Sequence, residues 1–245
     1  MITNAQLKEI KSLQLKKNRT QQQRFLVEGA KSVLELVDSD FKIEHLLCTK
    51  EFFDKNYFNE SNLGDKIHVV SEKQLVSIGT FKSNSLALAV AKIKPNIELQ
   101  VGSNELSLVL DDVRDPGNLG TIIRIADWYG IKNIIVSETT ADMYNPKVIN
   151  ATMGSFGRVN IFYTHLPSYL ENYNGNVFGT FMEGKNIHTN RIKGEGLVIM
   201  GNESNGISEE VEKFVTEKIT IPKFGVAESL NVAVATAIVC DNLRK

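Results

Sequence analysis

Between residues 106 and 221 short apolar runs recur at near-regular intervals: Leu106 to Leu110, Ile134 to Val136, Val159 to Phe162, Asn176 to Phe181, Leu197 to Met200 and Lys218 to Ile221. Stretches with helical spacing separate them. Short apolar runs of this kind are how strands buried on both faces read, so the pattern predicts a mostly parallel sheet covered by helices. The first part of the chain alternates in the same way. Arg24 to Glu28, Ile43 to Cys48, Ile67 to Val70 and Leu86 to Ile93 read as strands. Asn4 to Leu13, Gly29 to Val37, Glu51 to Phe58 and Glu72 to Ile78 read as helices, and the polar stretch Gln14 to Gln23 as a loop or broken helix. Between the two parts, Pro95, Asn96, Gly102, Ser103 and Asn104 are turn and linker residues. The expected organisation is an α/β domain over residues 1–94, a linker over 95–105 and a second α/β domain over 106–245.

Composition excludes several classes. An apolar content of 42% and a charged content of 23% give an ample core and a soluble surface. No run is long and apolar enough to span a membrane, and MITNAQLKEI lacks a signal pattern, so the expected location is cytoplasmic with no membrane partner. Cys48 and Cys240 lie in apolar runs without metal-ligand neighbours, which predicts two buried thiols and no metal. The net charge of -1 does not mark a polyanion binder, but the start of the chain is locally basic. Lys16, Lys17, Arg19 and Arg24 belong to this patch, which can attract phosphate whatever the total. A solvated helical face is the plainer alternative.

Three loops carry chemistry. The first follows Leu110, where Asp115-Pro-Gly-Asn118 turns into a helix expected to begin near Asn118. On that helix Arg124 sits among Ile122, Ile123, Ile125 and Ala126. A guanidinium in such company needs an acid or a phosphate; Asp127 and Asp112 are the ordinary partners. The second follows the strand ending at Met200: Gly201-Asn-Glu203-Ser-Asn-Gly206, whose backbone amides are free to meet a ring or an anion. The third follows Ile221, where Pro222 ends a strand and Ser229 reads as the cap of a helix, apolar on nearly every face, through Val239. Asn231 stands beside that mouth. A further segment, Asn145-Pro-Lys147 to Arg158, reads as a Pro-started helix capped by Asn145, with Lys147 and Arg158 as cations near its turns. Neither Gly-x-Gly-x-x-Gly nor a P-loop occurs, against a nucleotide-binding oxidoreductase.

Taken in order, Asn118-Leu-Gly-Thr-Ile-Ile-Arg124, Gly201-Asn-Glu-Ser-Asn-Gly206 and Ile221-Pro-Lys-Phe-Gly-Val-Ala-Glu-Ser-Leu-Asn-Val-Ala-Val-Ala235 resemble the three motifs of the SpoU/TrmH family of RNA ribose 2'-O-methyltransferases, in the SPOUT superfamily. Arg24-Phe-Leu-Val-Glu-Gly29 is similar to that family's substrate-binding domain. The resemblance implies a deep trefoil knot in the C-terminal domain, which general rules of chain topology would not predict. It implies S-adenosylmethionine as cofactor, held near Met200, Gly201, Ile221, Ser229 and Leu230. It further implies a site built from Asn118, Arg124, Glu203, Ser229 and Asn231, a homodimer, and structured RNA as substrate, ribosomal rather than transfer RNA; Lys16, Lys17, Arg19, Arg24, Lys147 and Arg158 are then the candidate RNA contacts. The alternatives are transfer RNA with the same reaction, or a non-catalytic RNA-binding protein that keeps the fold.

Overall fold

The computed structural model describes residues 2–56, 58, 63–81, 86–102, 104–190 and 194–244. Tyr57 of the expected 51–58 helix and Ser103 of the expected linker lie outside them. The chain packs into two compact units, residues 1–95 with 143–157, and residues 96–142 with 158–245.

The first unit is built on a four-stranded sheet, β1 (Arg24–Glu28), β2 (Ile43–Cys48), β3 (Ile67–Val69) and β4 (Ala87–Lys92), in the order β1-β4-β2-β3. β4 is antiparallel to both neighbours and β2–β3 is parallel. Period-two alternation divides its side chains between two cores. Phe25, Val27, Leu46, Cys48, Ala87 and Ala89 face one, where α3 (Ala30–Val37) supplies Val33 and Leu36. Leu26, Leu47, Leu88 and Val90 face the other. There α1 (Asn4–Ser12) supplies Leu7 and Ile10, and α5 (Glu72–Ile78) supplies Leu75 and Ile78. α4 (Lys50–Lys55) adds Phe52 to the first core. Each fully buried side chain of the size of Phe25 is worth about 1.5–3 kcal/mol.

Of the two forms expected for the polar stretch after Gln14, loop or broken helix, the chain takes the second, resuming as α2 (Lys16–Gln22) after a break. Two other readings of the sequence are corrected. Arg19 on that helix is only 2% exposed, and its guanidinium donates to the carbonyls of Leu13 (3.1 Å) and Gln14 (2.8 Å). It ties two helices together and is not available to RNA. The first core is also completed from a distance in sequence. Ile149 of α7 (Pro146–Thr152), Phe156 and Tyr144 pack on Phe25 and Phe41, although the sequence pattern assigns them to the C-terminal domain. Asn145 caps α7 as expected, accepting from Lys147 N at 2.9 Å.

Among the described residues the second unit holds six strands: β5 (Leu106–Leu110), β6 (Asn133–Ser137), β7 (Asn160–Thr164), β8 (Val177–Asn186), β9 (Gly196–Met200) and β10 (Glu217–Thr220). Their order is β10-β8-β9-β5-β6-β7, and every neighbouring pair is parallel. All five residues of β5 and of β9 are buried, which is why these runs are apolar without alternation. From β5 the chain builds outward through β6 and β7, then returns past β5 to lay β8 and β9 on its other side. The direction of winding therefore reverses between β5 and β9, and ligands of open parallel sheets gather beyond the strand ends at such a crevice. Helices α6 (Pro116–Trp128), α8 (Leu166–Glu171), α9 (Glu209–Glu212) and α10 (Val232–Leu243) complete the unit. Cys48 and Cys240 are buried free thiols.

Candidate active site

The loops after β5, β9 and β10 meet at that crevice. The first contains Asp115, whose side chain accepts from Asn118 N at 2.8 Å and starts α6 two residues earlier than the sequence reading places it. Pro116 occupies the first turn, where its missing N–H costs nothing. The backbone amide of Asn118 is thereby satisfied, and its side chain is left to the site.

That side chain joins all three loops. Asn118 Nδ2 donates to Glu203 Oε1 at 2.7 Å, and Asn118 Oδ1 accepts from Asn231 Nδ2 at 3.0 Å. Asn231, not Ser229, is the cap of α10: its Oδ1 accepts from the amides of Ala233 and Val234. One amide thus closes the helix mouth while its NH₂ reaches the neighbouring loop. Ser229 is exposed, two residues before the cap. α10 itself is less enclosed than its composition predicts, with Val232, Ala233, Thr236, Val239 and Cys240 buried but Val234 half exposed.

The second loop doubles back tightly. Asn202 and Gly206 exchange backbone hydrogen bonds of 2.8 and 3.0 Å, and a Cβ on Gly201 would collide with the backbone of Gly206 and Ile207. Asn202 Oδ1 accepts from the amides of Ser204 (2.8 Å) and Asn205 (3.1 Å). Asp112, a non-glycine residue at φ 61°, holds this loop against the first one. Its carbonyl and its Oδ2 accept from Asn202 Nδ2 at 2.7 and 3.1 Å. Burial pushes the Asp112 carboxyl up, but hydrogen bonds from Arg114, Thr139 and Asn202 outweigh it and hold the group below its ordinary value.

Beside these loops lies a cleft of about 1090 Å³. Met200, Gly201, Ile221, Ser229 and Leu230, the five residues expected around a cofactor, all line it, as do Glu203 and Val232. Arg124 is not part of this hydrogen-bonded group. It lies on the exposed face of α6 with Thr121 and Trp128, and makes no hydrogen bond or ion pair among the described residues. Its ordinary partners are engaged elsewhere: Asp127 with Arg158 (2.9 Å) and Asp112 with Arg114 (2.8 Å). Of the expected RNA contacts, Arg158 is held by Asp127, and Arg24 is held by Glu9 (2.8 Å) and Glu44 (2.5 Å). Lys16, Lys17 and Lys147 are exposed. The sequence reading assigns no site role to Asp111, Asp112 or Asn202. The signal for the first two is a pair of adjacent acids at the end of a buried strand, which ordinary solvated strand ends also carry, and for Asn202 its place in the second motif.

Comparisons with known proteins agree with one another. The profile of the SpoU rRNA Methylase family matches residues 105–241, and that of the MRM3-like substrate binding domain matches residues 4–87. The 23S rRNA (guanosine(2553)-2'-O)-methyltransferase RlmP of Bacillus subtilis is 30% identical over 98% of this chain and 96% of its own length. A solved structure described as a putative RNA methyltransferase of the TrmH family from Porphyromonas gingivalis superposes with a TM-score of 0.86 at 31% identity, over 100% of this chain and 98% of that one. An AdoMet-bound rRNA methyltransferase from Sinorhizobium meliloti superposes with a TM-score of 0.85 at 30% identity, over 100% of this chain and 95% of that one. With three motif loops converging on one asparagine and a profile spanning more than half of the chain, the protein belongs to the SpoU rRNA methylase family.

Proposed function

We propose that this protein transfers a methyl group from S-adenosylmethionine to a ribose 2'-hydroxyl of ribosomal RNA. The observation that carries the reading is the bridge at Asn118, which gathers one residue from each motif loop at the edge of the cleft. The lining fits the cofactor. Met200, Ile221, Leu230 and Val232 offer an apolar wall to a flat ring, and Glu183, Glu203 and Glu228 offer carboxylates to a cation. When bound, S-adenosylmethionine supplies a methyl group already activated on a sulfonium. What remains for the protein is to bind and align, which is worth up to roughly 7–11 kcal/mol in reactions of this order.

Asn118 and Asn231 orient polar groups at the helix mouth, and Glu203 fixes the second loop against the first. Ser229 lines the cleft beside them. Arg124 presents an unengaged guanidinium to the RNA, where it holds the phosphate next to the reacting ribose or stabilises charge developing on its oxygen. Arginine does not lose its proton near neutral pH, so it is not the base. Lys16, Lys17 and Lys147 attract the RNA backbone. The RNA is ribosomal because relatives similar over the whole chain are named for that substrate. A single-stranded loop or bulge presents a 2'-hydroxyl more readily than a helix does.

Two further features belong to the same reading. The exposed side chains of Trp128 on α6, Val234 on α10 and Leu230 before it support pairing of two copies, and ribosomal RNA as substrate is what points to the cytoplasm. No helix among the described residues is long and apolar enough to cross a membrane. The end of α10 lies against the segment before β9, with Asn242 bonded to His188 and the Leu243 carbonyl against Gly194, and this packing supports a C-terminal knot.

The test is methyl transfer from labelled cofactor to ribosomal and transfer RNA, with mass spectrometry of the nucleosides. Label on a ribose 2'-oxygen of ribosomal RNA is expected, and Arg124→Ala should abolish it while cofactor affinity stays within about twofold. Label on a base, or no transfer to RNA or ribosomal particles by cofactor-bound protein, would overturn the reading.

A further inference from the structure

We infer that Asp112 and Asn202 form a positioning pair that sets the cofactor-side loop, residues 201–208, against the end of β5. The inference rests on the proposed function and adds to it two residues, Asn202, which lines the cleft beside Gly201, and Asp112, which does not line it.

The connection runs in both directions from one side chain. The NH₂ of Asn202 reaches outward to the carbonyl and carboxylate of Asp112. Its carbonyl turns inward and accepts from Ser204 and Asn205, giving the loop its shape. All four capacities of that amide point either to the loop's own backbone or to Asp112. The other end of the loop is fixed by the neighbouring acid, since Asp111 Oδ2 accepts from Ser208 N at 2.7 Å. Two adjacent carboxylates at the end of β5 therefore grip both ends of one loop. Between those ends stand Glu203, which accepts from Asn118, and Ile207, which lines the cleft.

Asp112 has its own restraint. It occupies the left-handed region at φ 61°, which aspartate tolerates better than most residues but which still costs energy unless its surroundings hold it. Its amide donates to Ser137 Oγ at 2.9 Å, and its Oδ1 accepts from Arg114 Nε at 2.8 Å. Held by Ser137, Arg114, Thr139 and Asn202 beside the cleft, Asp112 fixes where Asn202 stands. A slip of the loop would move Glu203 away from Asn118 and change the cleft wall together.

Asn202→Asp isolates the contact. The new side chain still accepts from Ser204 and Asn205, so the turn survives, but it has no donor for Asp112 and sets two carboxylates against each other. Asp112→Asn keeps an acceptor for Asn202. The double variant Asp112→Asn with Asn202→Asp restores the side-chain contact with the polarity reversed, at unchanged net charge, but not the bond to the backbone carbonyl of residue 112. Cofactor affinity by calorimetry should fall about tenfold in Asn202→Asp, the scale of one charge-assisted hydrogen bond. It should stay within about threefold of wild type in Asp112→Asn, and the double variant should recover part of the loss. The KM for RNA should stay within about twofold throughout, and amide exchange over residues 201–208 should quicken in Asn202→Asp alone. An Asn202→Asp protein that binds S-adenosylmethionine within twofold of wild type would overturn the inference. So would a double variant no better than Asn202→Asp. Wild-type protein that binds no cofactor would overturn the proposed function, and this role with it.

Discussion

Replacing Asn118 with aspartate changes one NH₂ to an oxygen at the point where three loops meet. The 2.7 Å bond to Glu203 then has no donor, and two carboxylates face each other. Glu203 is exposed, so the lost charge-assisted bond counts for about 1 kcal/mol rather than the larger figure of an enclosed one. Two unit charges about 3 Å apart in bulk water repel by about 1.4 kcal/mol. The sum, about 2 kcal/mol at neutral pH, is an upper figure because salt screens it and the side chains can swing apart. The bond from Asn231 is kept, since an oxygen still faces it. For a protein of this size the expected fall in Tm is about 4–8 °C.

The pH dependence gives the prediction its sign. Like charges favour uptake of one proton in the folded variant at a pH where the unfolded chain does not yet bind it. The variant's deficit is therefore larger at neutral than at acid pH, where a shared proton again supplies a donor. Scanning calorimetry of wild type and Asn118→Asp at pH 7.5 and pH 5 measures both quantities. Equal Tm values at pH 7.5, or a deficit that grows in acid, would show that the Asn118–Glu203 bond is not what ties the first two loops.

Two further predictions follow from packing and burial. Gly201→Ala forces its methyl into the backbone of Gly206 and Ile207, so the loop must open at a cost of about 1–3 kcal/mol; calorimetry should show cofactor affinity lowered at least tenfold. His45 Nδ1 and His68 Nε2 lie 3.2 Å apart, facing Glu44, Arg24, Glu9 and Asp65, and burial above all lowers both pKa values. Unfolded histidines take up protons near pH 6.5 while this pair resists, so stability is full above that pH and is lost as pH falls through the folded values. Urea melts of His68→Gln between pH 7.5 and 5.5 should show a flatter profile than wild type.

How much of this was legible in the sequence depended on the range of the forces involved. The strands of the second unit were readable because each is short, apolar and bounded by turn residues, and Leu106 to Leu110 coincides with the observed strand. The start of α6 was misplaced because Pro-Gly reads as a turn, whereas proline in the first turn behind an aspartate cap also starts a helix. The cap of α10 was assigned to Ser229 on residue type alone, and Asn231 is equally suited. Side-chain fates were the least legible. Arg19 and Arg124 are both arginines on helices; one is buried against carbonyls, and the other is exposed although its neighbours in sequence are apolar. Only the three loops taken together, matched to a family pattern, bring Asn118, Glu203 and Asn231 into one site from the sequence.

Residues 143–157 set an order of events for synthesis. Phe25 and Phe41 reach the exit of the ribosome long before Ile149 and Phe156, the side chains that close over them. The N-terminal unit cannot finish its core while only its first 95 residues have emerged. It must wait until β5, α6 and β6 have been made and the chain has crossed back. A nascent chain with about its first 100 residues outside the ribosome should accordingly be more open to protease than one with about its first 160 outside. For the same reason, a fragment cut at the linker would carry away part of the other unit's wall.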